Sequence, residues 1–566
     1  MSTIRVVAIT MIILLGSAAF ANESATQPSQ AAKSPFLFRE VSQEMGLYPS
    51  IKGVRAHAGI LGDYNGDGWI DFFVGTFQTE DSSPSVLYRN EQGKRFIVDD
   101  SQPSLLRPGR TTGGMFVDLD NDGDNDFYVA NNTSGGGSGK GDAPNYLYRN
   151  DGGGKFTDVS DANSCPPYGT RNVVPIDYDG DGLLDILLGG GRFRNQGRPG
   201  GRLLHNLGNL KFEDASERMP EDAGAMTCVS VDVNNDTFPD IFYVSRNGYL
   251  LLNDGQGSFT PAKAANDVFI AARAKVAGQS PAGACFVDIN RDGLLDVVIG
   301  QNTDRPWVTP ISPGLFLNRG IKDGQPTFED VTEQAGLVPV PLKTPQLEIH
   351  DFDNDGWPDI YCATFKFANG QVYPVIFHNL GAKDGMVRFE QYALGVNDFP
   401  TEEDQKLRGS STTFYNKMIK DRKCVYAVAA PAGDYDRDGR IDIFQAEWWA
   451  ENPSFLLHNE TPGGNWLAVS VTGAPGSPGR SAAKPGVNRM GIGSKVKIYS
   501  PGRLGDPAAL LGCQDINIGY GFSSSQEPIA HFGLGNLTEC DVEIILPFKK
   551  GVINKYRVKA NQRLTP

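Results

Sequence analysis

Histidine is scarce in this chain, with six in 566 residues, and none belongs to an HExxH pair. There is no G-x-S-x-G elbow and no G-x-x-x-x-G-K-[ST] phosphate loop. The zinc-peptidase, serine-hydrolase and nucleotide-binding machineries that announce themselves by those motifs are therefore excluded. The seven cysteines form no CxxC and no CxxCH, which removes zinc-ribbon, thioredoxin-like and c-type haem readings. Cys228, Cys285 and Cys362 lie in apolar, strand-like runs and read as buried thiols. Cys513 and Cys540 fall together near the C-terminal end and could pair in an oxidising compartment. Positive charge is also in short supply, 52 Lys and Arg against 67 Asp and Glu, for a formal net charge of -15. That balance argues against a nucleic-acid backbone or an anionic membrane as partner. Beyond the first residues no apolar run is long enough to span a bilayer.

What is present starts with the opening segment, "MSTIRVVAITMIILLGSAAFANES". Arg5 precedes an apolar run from Val6 to Leu15, and small residues end in Ala19-Phe20-Ala21. This order reads as a signal peptide over residues 1–21, cleaved after Ala21, with a linker over 22–35. The expected location is secreted or periplasmic. The apolar run is short for a membrane anchor, and no cysteine follows it to take a lipid.

Glycine, 67 residues, and aspartate dominate the rest in a repeating pattern. The motif D-x-[DN]-x-D-G-x-x-D begins at Asp63, Asp118, Asp177, Asp232, Asp288, Asp351 and Asp434, at steps of 55, 59, 55, 56, 63 and 83 residues. Periods of this size mark solenoids, arrays and propellers. Positions 1, 3, 5 and 9 hold 25 aspartates in all. Carboxylates crowded on a tight turn repel one another unless a cation joins them. All-oxygen ligands in that number suit calcium better than magnesium. An EF-hand needs a bidentate glutamate at position 12; here that position holds Val74, Val129, Leu188, Tyr243, Ile299, Cys362 and Gln445.

The expected ligand sets take side chains from positions 1, 3, 5 and 9 and the backbone carbonyl of position 7. The first loop supplies Asp63, Asn65, Asp67, Trp69 and Asp71. The second supplies Asp118, Asp120, Asp122, Asp124 and Asp126, and the third Asp177, Asp179, Asp181, Leu183 and Asp185. The fourth has Asp232, Asn234, Asp236, Phe238 and Asp240, and the fifth Asp288, Asn290, Asp292, Leu294 and Asp296. The sixth has Asp351, Asp353, Asp355, Trp357 and Asp359, and the seventh Asp434, Asp436, Asp438, Arg440 and Asp442. Up to seven calcium ions are expected, and they would offset most of the chain's net charge. The fourth site is expected to be weakest, because Thr237 replaces the turn glycine and Asn234 lowers the ligand charge.

Each loop lies between short runs rich in β-branched and aromatic residues, such as "GGMFV" and "FYVA", which read as two antiparallel strands. A third strand follows, ending in Asn90, Asn150, Asn206, Asn253, Asn318, Asn379 or Asn459. After a glycine turn comes a fourth strand led by phenylalanine. Four strands in a meander make one propeller blade. Six fourth strands follow the seven loops, and the missing one stands in front as "LFREVS" at 37–42. The expected fold is all-β. It is a seven-bladed β-propeller over 36–460 whose N-terminal strand closes the last blade, followed by a small β-domain over 464–566.

The repeats resemble FG-GAP/VCBS repeats, whose relatives include the calcium-binding propellers of integrin α-subunits. The segment with Asn465, Trp466, Asn488, Arg489, Gly491, Gly493, Ser525, Gln526 and "HFGLG" from His531 resembles the ASPIC/UnbV domain, as in the cartilage acidic protein family. The resemblance implies fold and metal binding more than an activity. His531 and Arg489 read as turn and strand residues rather than a catalytic pair. The insert "APGSPGRSAAKPG" reads as an extended surface turn.

No catalytic constellation emerges, so the chain reads as a non-enzymatic binding or adhesion module for an extracellular protein or glycan. Its variable loops lie on the face opposite the acidic loops, where Trp307, Trp448, Trp449, Arg192, Arg194 and Arg198 are the candidate contacts. The alternative is a polysaccharide lyase or hydrolase on a calcium-stabilised propeller.

Overall fold

The apolar runs on either side of each acidic loop pair as antiparallel strands, since neither is long enough to bury a helical face. A computed structural model describes residues 34–566 apart from 79–81, 133–142, 167–168, 191–200, 245–248, 275–280, 408–410, 450–451 and 472–486. The expected signal peptide, Arg192, Arg194, Arg198 and the C-terminal insert lie outside the described residues.

Seven sheets each contain a four-stranded antiparallel meander. The second is typical: Thr111–Val117, Asp126–Asn131, Tyr146–Asn150 and Phe156–Asp158. In the seventh, Ala432–Gly433, Asp442–Gln445 and Phe455–Asn459 are completed by Phe38–Glu40 from the N-terminal side. Phe38 pairs with Asn459 as Phe156 pairs with Asn150, Phe212 with Asn206 and Phe328 with Asn318. The displaced strand thus stands where the sequence count put it. Its paired length is three residues rather than the six of "LFREVS".

The first strand of each meander lies innermost and runs toward its acidic loop. These strands are buried on both faces, as in Ala56–Gly62 and Thr111–Val117. Glycine lets neighbouring sheets approach: a Cβ on Gly114 would lie 2.5 Å from Ile60 Cδ1, and one on Gly75 2.5 Å from Thr111 Cγ2. Among the described residues no helix is long and apolar enough to cross a membrane.

Two connections between sheet strands carry helices. Lys263–Ala274 buries Ala265 and Phe269 beside Phe242, Phe316 and Phe328. The stretch between Tyr392 and Tyr426 holds Glu402–Lys406 and Ser411–Lys420. Phe414 of the latter stacks on Trp307 at 3.6 Å between ring centroids, and Tyr415 stacks on Trp449 at 5.1 Å. Trp307 and Trp449 are therefore buried core residues, not the exposed recognition residues expected. Trp448 is half-buried at the rim.

From Asn465 onward the chain builds a three-stranded sheet, containing Asn465–Ser470, Ile529–Gly535 and Gln562–Leu564, and a four-stranded one from Leu510–Asp515, Lys495–Tyr499, Glu539–Leu546 and Gly551–Lys559. All seven cysteines are buried free thiols, so Cys513 and Cys540 are not paired. Their strands flank Lys495–Tyr499. Two strand spacings are roughly 9.5 Å, beyond the reach of about 7 Å for a disulfide.

Candidate metal centres and the face that covers them

Each acidic loop folds around its own carboxylates. Position 1 accepts backbone N–H groups from positions 4 to 6: Gly66 N at 2.8 Å and Gly68 N at 2.7 Å for Asp63, Asp292 N and Gly293 N at 2.9 Å for Asp288. In all seven loops position 5 accepts from the N–H of position 7, as Asp67 does from Trp69 at 2.9 Å and Asp438 from Arg440 at 2.9 Å. The sharp turn needs a left-handed residue at position 6, where φ is +87° at Gly68 and +99° at Gly356. Thr237 adopts it at φ +76°, a strained state for a β-branched residue.

Position 9 has a second structural task. Asp71, Asp126, Asp185, Asp240, Asp296, Asp359 and Asp442 begin the second strands and are buried. In every sheet one oxygen accepts the N–H of the asparagine that ends the third-strand signature. That asparagine donates its amide to the position 8 carbonyl of its own loop and to the position 2 carbonyl of the preceding sheet's loop. Asn150 reaches Tyr64 O at 2.8 Å, Asn206 Leu119 O at 2.7 Å, Asn253 Tyr178 O at 2.8 Å and Asn318 Val233 O at 3.1 Å. Asn379 reaches Ile289 O at 3.0 Å and Asn459 Phe352 O at 2.9 Å. Asn90 closes the circle on Tyr435 O of the seventh sheet at 2.9 Å. The asparagines seen in sequence as strand ends are therefore staples between neighbouring sheets.

The donor sets fit a hard dication. Asp118, Asp120 and Asp122, and likewise Asp177, Asp179 and Asp181, bring one oxygen each within 4.8 Å of one another. Asp177 Oδ2, Asp434 Oδ1 and Asp442 Oδ2 are buried with no hydrogen-bond partner. Burial, with the neighbouring carboxylates Asp122 and Asp120, pushes Asp118 up to about 7. Burial likewise lifts Asp288 and Asp434 to about 7. A cation would relieve both the repulsion and the missing bonds. At position 7, the rings of Trp69 and Trp357 pack under Arg437 and Arg291 of a neighbouring loop, at 4.4 and 3.7 Å.

Sequence reasoning missed three histidines here. His205 Nδ1 lies 3.2 Å from Asp185 and 3.5 Å from Asp179. His378 Nε2 lies 3.2 Å from Asp353, and His458 Nδ1 3.0 Å from Asp442. The signal was in plain view: histidine precedes the asparagine in "RLLHN", "VIFHN" and "FLLHN".

The C-terminal domain lies over this face. Arg489 N donates to Asn121 Oδ1 at 2.9 Å, and its guanidinium is 4.0 Å from Asp118. Phe548 packs against Gly180. Arg563 reaches Asp434 at 3.8 Å, and His531 Nε2 faces Gly439 O at 3.1 Å. The fourth loop is filled. Lys495, 3% exposed, sets its Nζ 2.8 Å from Asp232 O, 3.3 Å from Asp232 Oδ2 and 3.6 Å from Asp515 Oδ1, and also bonds Asn235 Oδ1. Thr237 accepts from Phe548 N at 2.9 Å and Lys549 N at 3.0 Å.

A hairpin of the same domain, Gly519–Tyr520 with Ser524–Ser525, enters the central channel. Ser524 and Ser525 pair in parallel with Gly59 and Ile60 of the first inner strand. Asn517 donates to Ser230 O at 2.5 Å, and Gly521 bridges Ala284. Ring and cap are joined along the axis as well as over the loops.

Known proteins agree with this architecture. Residues 63–129, 118–188 and 232–299 match the FG-GAP-like repeat, and residues 484–565 match the ASPIC and UnbV family. The chain thus carries FG-GAP-like repeats and an ASPIC and UnbV domain on an all-β fold. It is similar to human cartilage acidic protein 1, 24% identical over 518 residues that make up 87% of this chain and 68% of that protein. It also resembles cartilage acidic protein 1 of Xenopus tropicalis, 25% identical over 55% of this chain and 40% of the relative's length. Among solved structures it is similar to BBS1N from a complex with ARL6DN, at 10% identity and a TM-score of 0.39, covering 76% of this chain and 99% of that one; a likeness that slight carries no argument.

Proposed function

We propose that the seven sheets are the blades of one propeller, that calcium joins the carboxylates of its acidic loops, and that the exported protein is a binding module for an extracellular protein or glycan. One observation carries the reading of the binding face. The acidic loops lie under the C-terminal domain, so the ligand side is the opposite face, built by the connections between second and third strands. Calcium here is structural. It holds loops whose carboxylates otherwise repel, and folding and metal binding are coupled. Export follows from the leader-like residues 1–21.

Chelation tests the structural part. Excess chelator is expected to lower the melting temperature by many degrees, and calcium to restore it. A melting curve indifferent to chelator overturns the metal reading. Screening the calcium-loaded protein against glycans and extracellular proteins tests the binding part.

A further inference from the structure

The residue just before the staple asparagine differs from sheet to sheet: Arg89, Arg149, His205, Leu252, Leu317, His378 and His458. In the third and seventh sheets the histidine turns its Nδ1 toward the loop in the same way. His205 Nδ1 lies 3.5 Å from Asp179 at position 3 and 3.2 Å from Asp185 at position 9. His458 Nδ1 lies 3.8 Å from Asp436 and 3.0 Å from Asp442, at the same two positions. Each trio brings one donor atom per residue within 4.8 Å of the others. Each imidazole packs against the tyrosine at position 2 of its loop, Tyr178 at 5.7 Å and Tyr435 at 5.9 Å between ring centroids. His378 of the sixth sheet meets its loop differently, through Nε2 toward positions 3 and 5.

Two further observations point to a metal. The same loops keep buried carboxylate oxygens with no hydrogen-bond partner, Asp177 Oδ2 in the third and Asp434 Oδ1 and Asp442 Oδ2 in the seventh, on residues only 2%, 4% and 2% exposed. An ion pair with histidine leaves these oxygens unmet, whereas a cation in the loop meets them. Both histidine loops also carry aspartate at position 3, where the first, fourth and fifth loops have Asn65, Asn234 and Asn290. The donor separations bear on which cation. Neighbouring ligands on an ion with bonds of about 2.1 Å stand about 3.0–3.4 Å apart, in octahedral or tetrahedral order, close to what both trios show. Calcium asks for oxygen at longer range and gains nothing from an imidazole. Imidazole beside carboxylate suits a divalent transition ion.

We infer that the third and seventh loops bind a divalent transition ion of the zinc type in preference to calcium, with His205 and His458 as nitrogen ligands and the aspartates at positions 3 and 9 as carboxylate ligands. The inference rests on the reading of the acidic loops as metal sites and deepens it: one ring holds two kinds of metal.

The test dialyses the full chain against zinc in a large excess of calcium and counts both elements per chain. The wild type is expected to retain zinc. His205→Gln and His458→Gln are each expected to lose one zinc, and the double variant two, with calcium entering the loops so freed. Zinc affinity at the altered loop should fall about 10–100-fold or more, the scale on which even an outer-shell partner of a metal ligand acts. Melting in saturating calcium checks that each variant is folded. X-ray absorption at the zinc edge needs no variant: imidazole scattering is expected from the wild type and should weaken in the double variant. No zinc retained against calcium, an unchanged zinc count in both variants, or an all-oxygen shell around the zinc overturns the inference and leaves the histidines as ion-pair partners. If calcium fills the third and seventh loops in its place, the calcium reading stands and this inference alone falls; if the chain retains neither metal, both fall.

Discussion

Replacing Lys495 with methionine removes the ammonium that fills the fourth loop while keeping most of the side chain's volume. Lys495 is 3% exposed, and its contacts with Asp232 and Asp515, at 3.3 and 3.6 Å, are buried. The Asp515 carboxylate is tied to the same loop, its Oδ2 accepting from Asp232 N at 3.0 Å, so loss of the charge leaves two buried carboxylates facing one another. Breaking a buried pair from one side costs about 3–5 kcal/mol. In chelator, Lys495→Met is therefore expected to lose that much stability by urea denaturation. In millimolar calcium most of it is expected to return, because Asp232, Asp236 and Asp515 then form a cage with a vacancy. Equilibrium dialysis with elemental analysis should find one more calcium per chain than in the parent. Thr237→Gly, with Lys495 in place, is expected to add no ion, since the lysine rather than the turn denies the site to metal. The reasoning fails if Lys495→Met is as stable as the parent in chelator, if its ion count is unchanged, or if Thr237→Gly alone gains an ion.

Phe38 is 4% exposed in the outermost position of the seventh sheet, so Phe38→Ala is expected to cost about 3–5 kcal/mol, and deletion of residues 22–42 to turn a monomer on size exclusion into aggregate through an unpaired edge. Asn206 donates to Leu119 O and Leu184 O and is buried; Asn206→Ala, which strands both carbonyls, is expected to cost about 2–6 kcal/mol in denaturant, at roughly 1–3 for each unmade bond. Burial, then Arg171, lowers His57 to about 3 from an ordinary 6.5. The unfolded chain therefore binds the proton first, and stability present above pH 6.5 is lost as pH falls toward 3. In saturating calcium, acidification from 6.5 to 5 should cost up to about 2 kcal/mol from this residue, and a His57→Gln variant whose pH slope matches the parent's would refute the assignment.

Much of the ring was legible because it depends on local, repeated chemistry. The acidic loop, the asparagine and the phenylalanine recur in a fixed order, and each strand carries its own pattern of alternation and turn residues. Counting fourth strands was enough to place Phe38 opposite Asn459, since every other phenylalanine of that kind pairs with its own asparagine. The fourth loop's departure from the motif was also visible in Thr237, which stands where the other loops have glycine.

What stayed hidden depends on partners far away in the chain. Nothing near Lys495 marks it as the cation of a loop more than two hundred residues earlier, and nothing in "GYGFSSS" marks it as the hairpin that pairs with an inner strand. Trp307 and Trp449 looked like surface anchors because their loops are polar, but helix Ser411–Lys420 buries both. The sequence by itself determined the repeating unit, its turns and its ligand chemistry, for these rest on interactions between residues close in the chain. Tertiary structure alone decided which face is covered, which loop is filled and which charges meet, because those follow from how separate sheets are brought together in space.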